Sequence, residues 1–318
     1  MFLKFKVKMA GVGVVNFDSA DNIPEEFRLS NDNAKYAKVA ITRDKDGNLV
    51  REQLFISSAC IKNGILKAVS GASLSVFDTN FRATQFGKPV YLLKGWMQAM
   101  ANDNFKRKSP VMVGQALEVS GAVPRMSTGS TEGFRSSTSY FSVESVGKTE
   151  YDLEVFLDLS AASFLPLDVT LDRLSLPDDI VNSNNFRLSY KKNFGVDVPP
   201  VSHFVRISDP AQTPERGIVL GEKEVNQMAK YLYDCISQLY IQRSSAFAAV
   251  SSVSATLHKH LNDAGVPWNG ADDLEIPDFY KEVGDHSYLE RNKALDALGG
   301  KGSSEKKEKK AKPGKEAK

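Results

Sequence analysis

The strongest chemical signal in the sequence is a short basic segment, Phe105-Lys106-Arg107-Lys108-Ser109-Pro110. Three consecutive cations exceed what is needed to complement the dipole of a preceding helix, and the Ser-Pro pair favours a turn. Lysine and arginine side chains clustered in this way neutralise the phosphates of nucleic acids. The segment therefore predicts an anion-binding surface.

The distribution of charge along the chain supports such a surface more strongly than the net charge of the whole chain does. The 318 residues contain 41 Lys and Arg against 39 Asp and Glu, whereas residues 1–300 alone contain 33 basic and 36 acidic side chains. A uniformly basic, histone-like binder is therefore excluded. Residues 62–108 hold eight basic and two acidic side chains, and acidic side chains dominate residues 150–179 and 263–296. This segregation suits a protein with one polyanion-binding face, or one that stacks on copies of itself so that unlike charges meet; chance clustering on solvated surfaces is the alternative.

The residue types that support catalysis or metal binding do not form a motif. HExxH, P-loop, GxSxG and CxxC patterns are absent, and the four histidines are His203, His258, His260 and His286. His258 and His260 would share a strand face, yet the sequence places no Asp, Glu or Cys with them, which favours surface or packing roles over metal ligation. Cys60 and Cys235 stand alone, which excludes a disulfide framework or a Cys-rich zinc site. We expect no catalytic residue, metal or cofactor.

Length and local composition predict how the chain is organised. The length allows one large domain or two modest ones, and we predict a single domain over residues 1–298. Residues 299–318 are Lys-rich without an apolar anchor, which predicts a disordered tail. Apolar runs fall short of the roughly 18–20 residues that span a bilayer, and no signal-peptide core is present. We expect a cytoplasmic protein without membrane contact.

The N-terminal half contains elements that could position the basic residues. Alternation over residues 3–9 predicts a strand, whose lysines could track phosphates or simply face water. Residues 37–43 and 49–56, joined by an Asp-Gly pair, predict a hairpin. Ser57 or Ser58 is expected to cap a helix that carries Ile61 and Ile65. A second helix is expected to follow Gly87 and to continue to Met100.

The remaining segments predict an antiparallel sheet with helices on one side. Residues 121–137 are expected to form a loop, in which Arg125 and Arg135 could contact nucleic acid or be merely mobile. A hairpin is predicted at 138–159, with outward carboxylates that would place RNA binding on the opposite side. Residues 177–214 are interpreted as an extended excursion. A helix over 222–242 and a strand over 246–257 complete an α+β fold.

The order and spacing of several short motifs resemble the backbone subunit of class 1 CRISPR effector complexes, the Cas-seven type of repeat-associated protein. The similarity is greatest to the type I-F variant, with type IV backbone subunits as near relatives, and it covers most of residues 1–260. The motifs are Phe5-Lys6-Val7-Lys8, Gly13-Val14-Val15-Asn16, Leu54-Phe55-Ile56-Ser57, Cys60-Ile61, Leu93-Lys94-Gly95, Lys106-Arg107-Lys108-Ser109-Pro110 and Arg135-Ser136-Ser137-Thr138-Ser139-Tyr140-Phe141.

The resemblance implies a modified RNA-recognition-motif (ferredoxin-like) palm with finger and thumb insertions, the thumb lying at about 178–206. It also implies a non-catalytic subunit of a DNA-targeting, Cascade-like surveillance complex. Its partners would be guide RNA (crRNA), the target DNA strand through the guide, copies of itself stacked head to tail, and other CRISPR effector subunits. The sequence lacks the aromatic pattern of ordinary RNA-recognition motifs, so phosphate-led binding is favoured over stacking of bases on the sheet.

The resemblance also assigns RNA-binding roles to individual residues. Ser57 and Lys62 would lie beside the guide, and Lys94 with the segment Lys106 to Lys108 would hold its phosphates. The remaining contacts would come from Arg125, Arg135, Phe204 and Arg206. A general single-stranded nucleic-acid-binding protein is the alternative, and an RNA-processing enzyme that uses His203 or His258 is a third hypothesis.

Overall fold

The computed structural model describes residues 1–13, 15, 17–19, 35–37, 39–47, 49–67, 79–99, 104–121, 124–131, 138–145, 148–167, 176–209, 213–243, 246–260 and 262–284. The strands are β1 (Phe2–Val12), β2 (Phe17–Ser19), β3 (Lys35–Ala37), β4 (Val39–Arg43), β5 (Leu49–Ile56), β6 (Trp96–Ala99), β7 (Asn104–Arg107), β8 (Val111–Val113), β9 (Ala116–Glu118), β10 (Pro124–Thr131), β11 (Thr138–Ser145), β12 (Lys148–Asp158), β13 (Phe164–Pro166), β14 (Ser202–Arg206), β15 (Glu215–Val219), β16 (Tyr240–Arg243), β17 (Ala246–His258), β18 (Val266–Trp268) and β19 (Tyr280–Val283). The helices are α1 (Ser58–Ile65), α2 (Thr79–Phe86), α3 (Pro89–Lys94), α4 (Leu159–Ala162), α5 (Asp178–Val181), α6 (Asn184–Phe194) and α7 (Glu222–Ser237).

A large antiparallel sheet forms the centre of the molecule. Its strand order is β16-β17-β1-β12-β9-β5-β4, with β18 paired to β17 and β8 paired to β12. Strict alternation of apolar and polar residues makes β1 a strand with one buried face, and Leu3, Phe5, Val7 and Met9 are at most 1% exposed. The predicted first strand and the long strand over 246–257 are therefore confirmed.

The outer face of this sheet balances its own charges. Lys6 lies opposite Glu154 and Lys8 opposite Asp152 in the register of β1 and β12. The Lys4 ammonium is 2.6 Å from a carboxylate oxygen of Glu154. Directly opposite residues of antiparallel strands share a face, so the lysine row and the carboxylate row are neighbours. This arrangement disfavours the alternative in which the lysines of β1 track phosphates.

Helices cover the inner face of the sheet, as the sequence predicts. In α7 the residues Val225, Met228, Leu232 and Ile236 are fully buried. Helix α7 ends at Ser237, and residues 240–243 form an edge strand rather than the predicted continuation of the helix. Ser57 caps α1 by accepting a hydrogen bond from the Cys60 N–H at 3.4 Å. The predicted hairpin is confirmed as β4 and β5.

The helix expected after Gly87 is shorter than predicted. It begins with Pro89 and ends at Lys94, because Gly95 has a φ of 71°. Residues 96–99 then form β6, which pairs with β7. The basic segment consequently begins inside β7, the second strand of this hairpin, and does not follow a helix. Helix α2 was not predicted.

Two further predictions in the middle of the chain are corrected. Residues 124–131 form a strand instead of a loop, and β10 pairs with β11 over eight residues. The predicted hairpin at 138–159 is wrong, because β12 pairs with β1, β8 and β9. Adjacent alternating segments suggested a hairpin, but the long hydrophobic face of β12 is buried only in the central sheet.

Residues 177–214 are not an extended excursion. They contain α5 and α6, and Phe186, Tyr190 and Phe194 of α6 are at most 1% exposed within the main hydrophobic cluster. The Tyr190 hydroxyl donates to a Glu224 carboxylate oxygen at 2.9 Å, which ties α6 to α7. The segment then enters a second sheet, with the strand order β13-β15-β14-β19. This second sheet forms one wall of the candidate site.

The chain has the α+β class that the sequence predicts, with a curled antiparallel sheet. One hydrophobic cluster includes side chains from Leu3 to Leu274. None of the helices described is long and apolar enough to cross a membrane. The tail at 299–318 lies outside the described residues.

The alternation in β1 predicts very different effects for neighbouring substitutions. Phe5→Ala should lower the free energy of unfolding by about 3–5 kcal/mol, because a buried ring is replaced by a cavity. Lys8→Ala, on the solvent face of the same strand, should change it by less than about 0.5 kcal/mol. Urea denaturation of both variants measures the difference, and equal losses would contradict the assigned faces.

Candidate nucleic-acid interface

A cleft of about 750 Å³ lies between the β6–β8 region and the second sheet. It brings together residues that are far apart in sequence, including the basic segment and Arg206 on β14. Its lining consists of Trp96, Lys106, Arg107, Lys108, Ser109, Pro110, Met112, Asp158, Ala161, Phe164, Pro166, Arg206, Glu215 and Tyr280. Four of these side chains are basic and two are acidic, so the cleft has a basic character overall.

A close backbone contact fixes the position of the basic segment. A Cβ atom added to Gly95 would lie 2.5 Å from the carbonyl oxygen of Arg107 and 2.7 Å from the amide nitrogen of Ser109. The Ser109 hydroxyl donates to the carbonyl of Leu93 at 2.6 Å, and it accepts from the Val111 N–H at 3.1 Å. The end of α3 therefore holds residues 107–109 in place.

The three consecutive cations do not share one environment. Lys106 and Lys108 are exposed, whereas Arg107 is only 5% exposed. Successive side chains of an extended chain point to opposite sides, and this alternation sends Arg107 inward. The prediction that Arg107 contacts RNA phosphates does not agree with this position. Lys106 and Lys108 remain candidates for phosphate binding.

The buried guanidinium of Arg107 donates hydrogen bonds to backbone carbonyls. Its Nε lies 3.2 Å from the oxygen of Leu92, and its Nη1 lies 2.6 Å from that of Phe164. Its Nη2 lies 3.2 Å from the oxygen of Ala161 and 3.5 Å from that of Ala162. These carbonyls include the ends of α3 and α4, which lack partners within their helices. Burial lowers the pKa of Arg107 to about 10.

The second sheet carries Phe204 and Arg206, both half-buried, and Arg206 lines the cleft whereas Phe204 does not. The Arg206 guanidinium carbon lies 5.7 Å from the centre of the Tyr280 ring, and the Phe204 and Phe164 ring centres are 6.1 Å apart. A guanidinium over an aromatic ring is attracted by the electron density of the ring face. The structure thus brings Arg206 to the predicted basic segment, while Phe204 packs among aromatic side chains.

Ser57, Lys62 and Lys94 lie near the same region. The Lys62 ammonium donates to the carbonyl of Val111 at 3.1 Å. Burial, followed by the charge of Lys94, lowers the pKa of Lys62. Two neighbouring lysines present a concentrated positive charge that attracts an anion. Ser57 acts as the α1 cap, and its hydroxyl already accepts a backbone hydrogen bond.

The side chains of the two remaining predicted RNA contacts, Arg125 and Arg135, lie outside what the structure describes. Arg125 lies on β10 opposite Glu144, and its side chain lies outside the described part of the structure. Arg135 lies outside the described residues altogether. Sequence patterns did not identify Trp96, Asp158 or Tyr280 as parts of the cleft, because their proximity arises only from tertiary contacts.

His258 has the packing role that the sequence favours. Its Nδ1 lies 2.7 Å from a carboxylate oxygen of Asp263, and its Nε2 lies 2.8 Å from the Thr256 hydroxyl. Its ring stacks on Phe2 with 5.1 Å between centres. An acidic partner therefore does lie nearby, which the sequence analysis missed. In the described ranges no three His, Cys, Asp or Glu side chains converge on a metal-sized site.

Comparisons with known proteins identify one family and two similar solved chains. The family described as "Type I-Fv CRISPR-associated protein Cas7fv-like" matches residues 2–263. A solved chain of a "CRISPR RNA-guided surveillance complex" is similar at 11% identity and a TM-score of 0.39, over 94% of this chain and 84% of that chain. A chain of a "Type IV-B CRISPR Complex" is similar at 12% identity and a TM-score of 0.28, over 49% of this chain and 73% of that chain. No curated protein matches the chain.

Arg107 and Lys108 should respond very differently to the same substitution. Arg107→Met should lower the free energy of unfolding by about 2–4 kcal/mol, because several buried carbonyls lose their donors. Lys108→Met should change it by less than about 0.5 kcal/mol. Guanidinium chloride denaturation of both variants provides the measurement. Equal stability of the two would show that Arg107 does not hold the cleft.

Proposed function

The chain belongs to the type I-Fv CRISPR-associated Cas7fv-like family, whose model matches residues 2–263. From this premise we propose that the protein is a backbone subunit that binds guide RNA at the basic rim of the cleft. The observation that carries the proposal is the convergence of Lys106, Lys108 and Arg206 on one cleft. Lys62 and Lys94 extend this basic rim along β8. Phosphates of one RNA strand are the ligand that such a row of cations suits.

The carboxylates of the cleft limit where RNA can lie. Asp158 and Glu215 are part of the lining, and they repel phosphates. The RNA backbone is therefore expected at the rim formed by Lys106, Lys108 and Arg206, and not deep in the cleft. Contacts with phosphates fix the position of a strand without reading its sequence.

This mode of binding suits a guide whose sequence varies. In RNA-guided complexes base pairing reads the target, and the protein recognises the shape and the backbone of the guide. The subunit would thus hold guide RNA and reach the target DNA strand only through the guide. We assign the large antiparallel sheet and its helices to the RNA-recognition-motif-like palm, and we assign the subunit a binding role without catalysis.

The segregation of charge also supports assembly along the RNA. Exposed carboxylates occupy β12 and the segment 272–278, whereas exposed lysines occupy the cleft rim. A head-to-tail contact brings two different surfaces together and produces an open filament. We propose that copies of the subunit stack in this way on the guide, beside other subunits of the complex.

Removing the two exposed lysines of the cleft should weaken RNA binding. The double variant Lys106→Ala/Lys108→Ala loses two phosphate contacts, so log K should fall less steeply with log salt, by about 0.7 for each lysine. Fluorescence anisotropy with a labelled guide RNA over a salt series measures both effects. An unchanged affinity and slope would contradict the assigned site.

A matched control separates this site from general polyanion binding. Lys191 and Lys192 are also exposed, but they lie on α6 and outside the cleft. Lys191→Ala/Lys192→Ala removes the same charge and should leave the affinity for guide RNA nearly unchanged. Equal losses in the two double variants, with DNA and RNA bound alike, would instead favour a general single-strand binding protein.

The pKa of Lys62 predicts how RNA binding depends on pH. A bound phosphate favours the charged form of a lysine whose pKa is lowered, so RNA binding takes up a proton. The affinity should therefore fall as the pH rises through the lowered pKa of Lys62, which lies below the ordinary lysine value of 10.5. Lys62→Arg should flatten this dependence, because a guanidinium stays protonated at these pH values. Anisotropy titrations with the same RNA at each pH test this, and identical pH profiles would exclude Lys62 from the site.

A further inference from the structure

Base stacking needs exposed aromatic rings, and the described part of the structure contains two of them. Tyr240 is 55% exposed and Phe247 is 47% exposed, and every other aromatic side chain that the structure describes is more deeply buried than these two. The cleft aromatics Trp96, Phe164 and Tyr280 are at most 8% exposed. The cleft can therefore hold phosphates, but it offers its rings poorly to bases.

The two exposed rings lie on the same face of neighbouring strands. Tyr240 of β16 pairs with Ala249 of β17, and Phe247 lies two residues before Ala249. Paired residues share a face, and residues two apart on a strand share it too, so the rings are diagonal neighbours roughly 7–8 Å apart. Val12 lies opposite Phe247 on β1 and is 45% exposed. The patch is thus continuous over three strands.

The surroundings of these rings favour a polyanion over a protein partner. The Lys67 ammonium lies 4.6 Å from the centre of the Tyr240 ring, and the exposed Lys148 lies opposite Val12. The centres of protein–protein interfaces are depleted of lysine, whereas single-strand binding surfaces combine cations with aromatic rings. An aromatic pair bordered by lysines therefore matches the chemistry of unpaired nucleotides.

The carboxylate row of β12 lies on the same sheet face, but it is far enough from the two rings to permit RNA to bind there. Strand β1 separates β17 from β12, and β16 lies one strand further out. At a strand spacing of about 4.8 Å, the rings lie roughly 10–14 Å from the carboxylates of β12. This distance is at or beyond the Debye length of about 8 Å at physiological ionic strength. The lysines of β1 further neutralise that row.

We propose that Tyr240 and Phe247 form a platform on which unpaired bases of bound RNA stack. Neither ring lines the cleft whose rim is proposed to bind phosphates. The inference depends on the proposed function only because it takes RNA as the ligand. The sequence analysis favours phosphate-led binding over stacking of bases on the sheet; the platform would add stacking on two exposed rings, one on the edge strand β16 and one on the neighbouring β17.

The test separates loss of base stacking from loss of charge by measuring RNA affinity and its salt dependence. The double variant Tyr240→Leu/Phe247→Leu keeps the patch apolar and removes both rings. Its affinity for an unstructured, fluorescein-labelled RNA should fall about fivefold or more for each lost stacking contact. The slope of log K against log salt should stay unchanged, because no cation is removed. Leu188→Ala, at a residue 61% exposed on α6, is the matched control and should bind like the wild type.

Photocrosslinking of the wild-type protein provides a measurement that needs no variant. Irradiated uracil-containing RNA should crosslink to the peptides that carry Tyr240 and Phe247, as located by mass spectrometry. If the wild type binds RNA while the double variant binds equally well and these peptides carry no crosslink, the platform is wrong and the proposed function stands. If the variant loses self-assembly but not RNA affinity, the patch is a protein contact, which also overturns the inference. Absence of RNA binding by the wild type would contradict the proposed function itself.

Discussion

The geometry of the candidate site depends on one buried cation. The guanidinium of Arg107 donates to carbonyls of α3, α4 and β13, and so joins the end of α3 to the α4–β13 segment. Removing a charged group from water is expensive unless its donors are satisfied, and here carbonyl oxygens satisfy them in place of a carboxylate. Because Arg107 is held inward, the neighbouring Lys106 and Lys108 are both directed outward. One residue thus sets the orientation of the whole basic segment.

Side chains also alternate between an inner and an outer face in the central sheet, but there the outward cations are neutralised. In β1 the inward residues are apolar and build the core, while the outward lysines lie against the carboxylates of β12. Pairing of opposite charges across strands makes this face nearly neutral, although the sequence shows two strongly charged stripes. The cleft rim gathers cations from several separate segments and keeps a basic character. The position of a charge in the fold, and not its density in the sequence, decides its availability to RNA.

Long periodic segments could be predicted from the sequence, whereas short or nonlocal features could not. β1, β17 and α7 repeat their patterns over many residues, so local order and burial agree. β6 has four residues, and its Trp96 and Met97 fit a helical stripe as well as a strand. The aromatics of α6 recur at a spacing of four, a signal that the nearby prolines and polar residues obscured. Arg107 could not be distinguished from its neighbours, because a run of three cations does not show which one is buried.

Phosphate binding and base stacking have one property in common that matters for a guide-binding subunit. A cation responds to the charge of every phosphate, and a ring stacks on the π-face of every base, so neither contact depends on sequence. Hydrogen bonds to base edges would restrict which guides could be held, and they would compete with pairing to a target. The contacts proposed at the cleft rim and at the Tyr240–Phe247 platform would leave the edges of the bases free. A subunit built in this way can hold any guide in a fixed path while the guide alone selects its target.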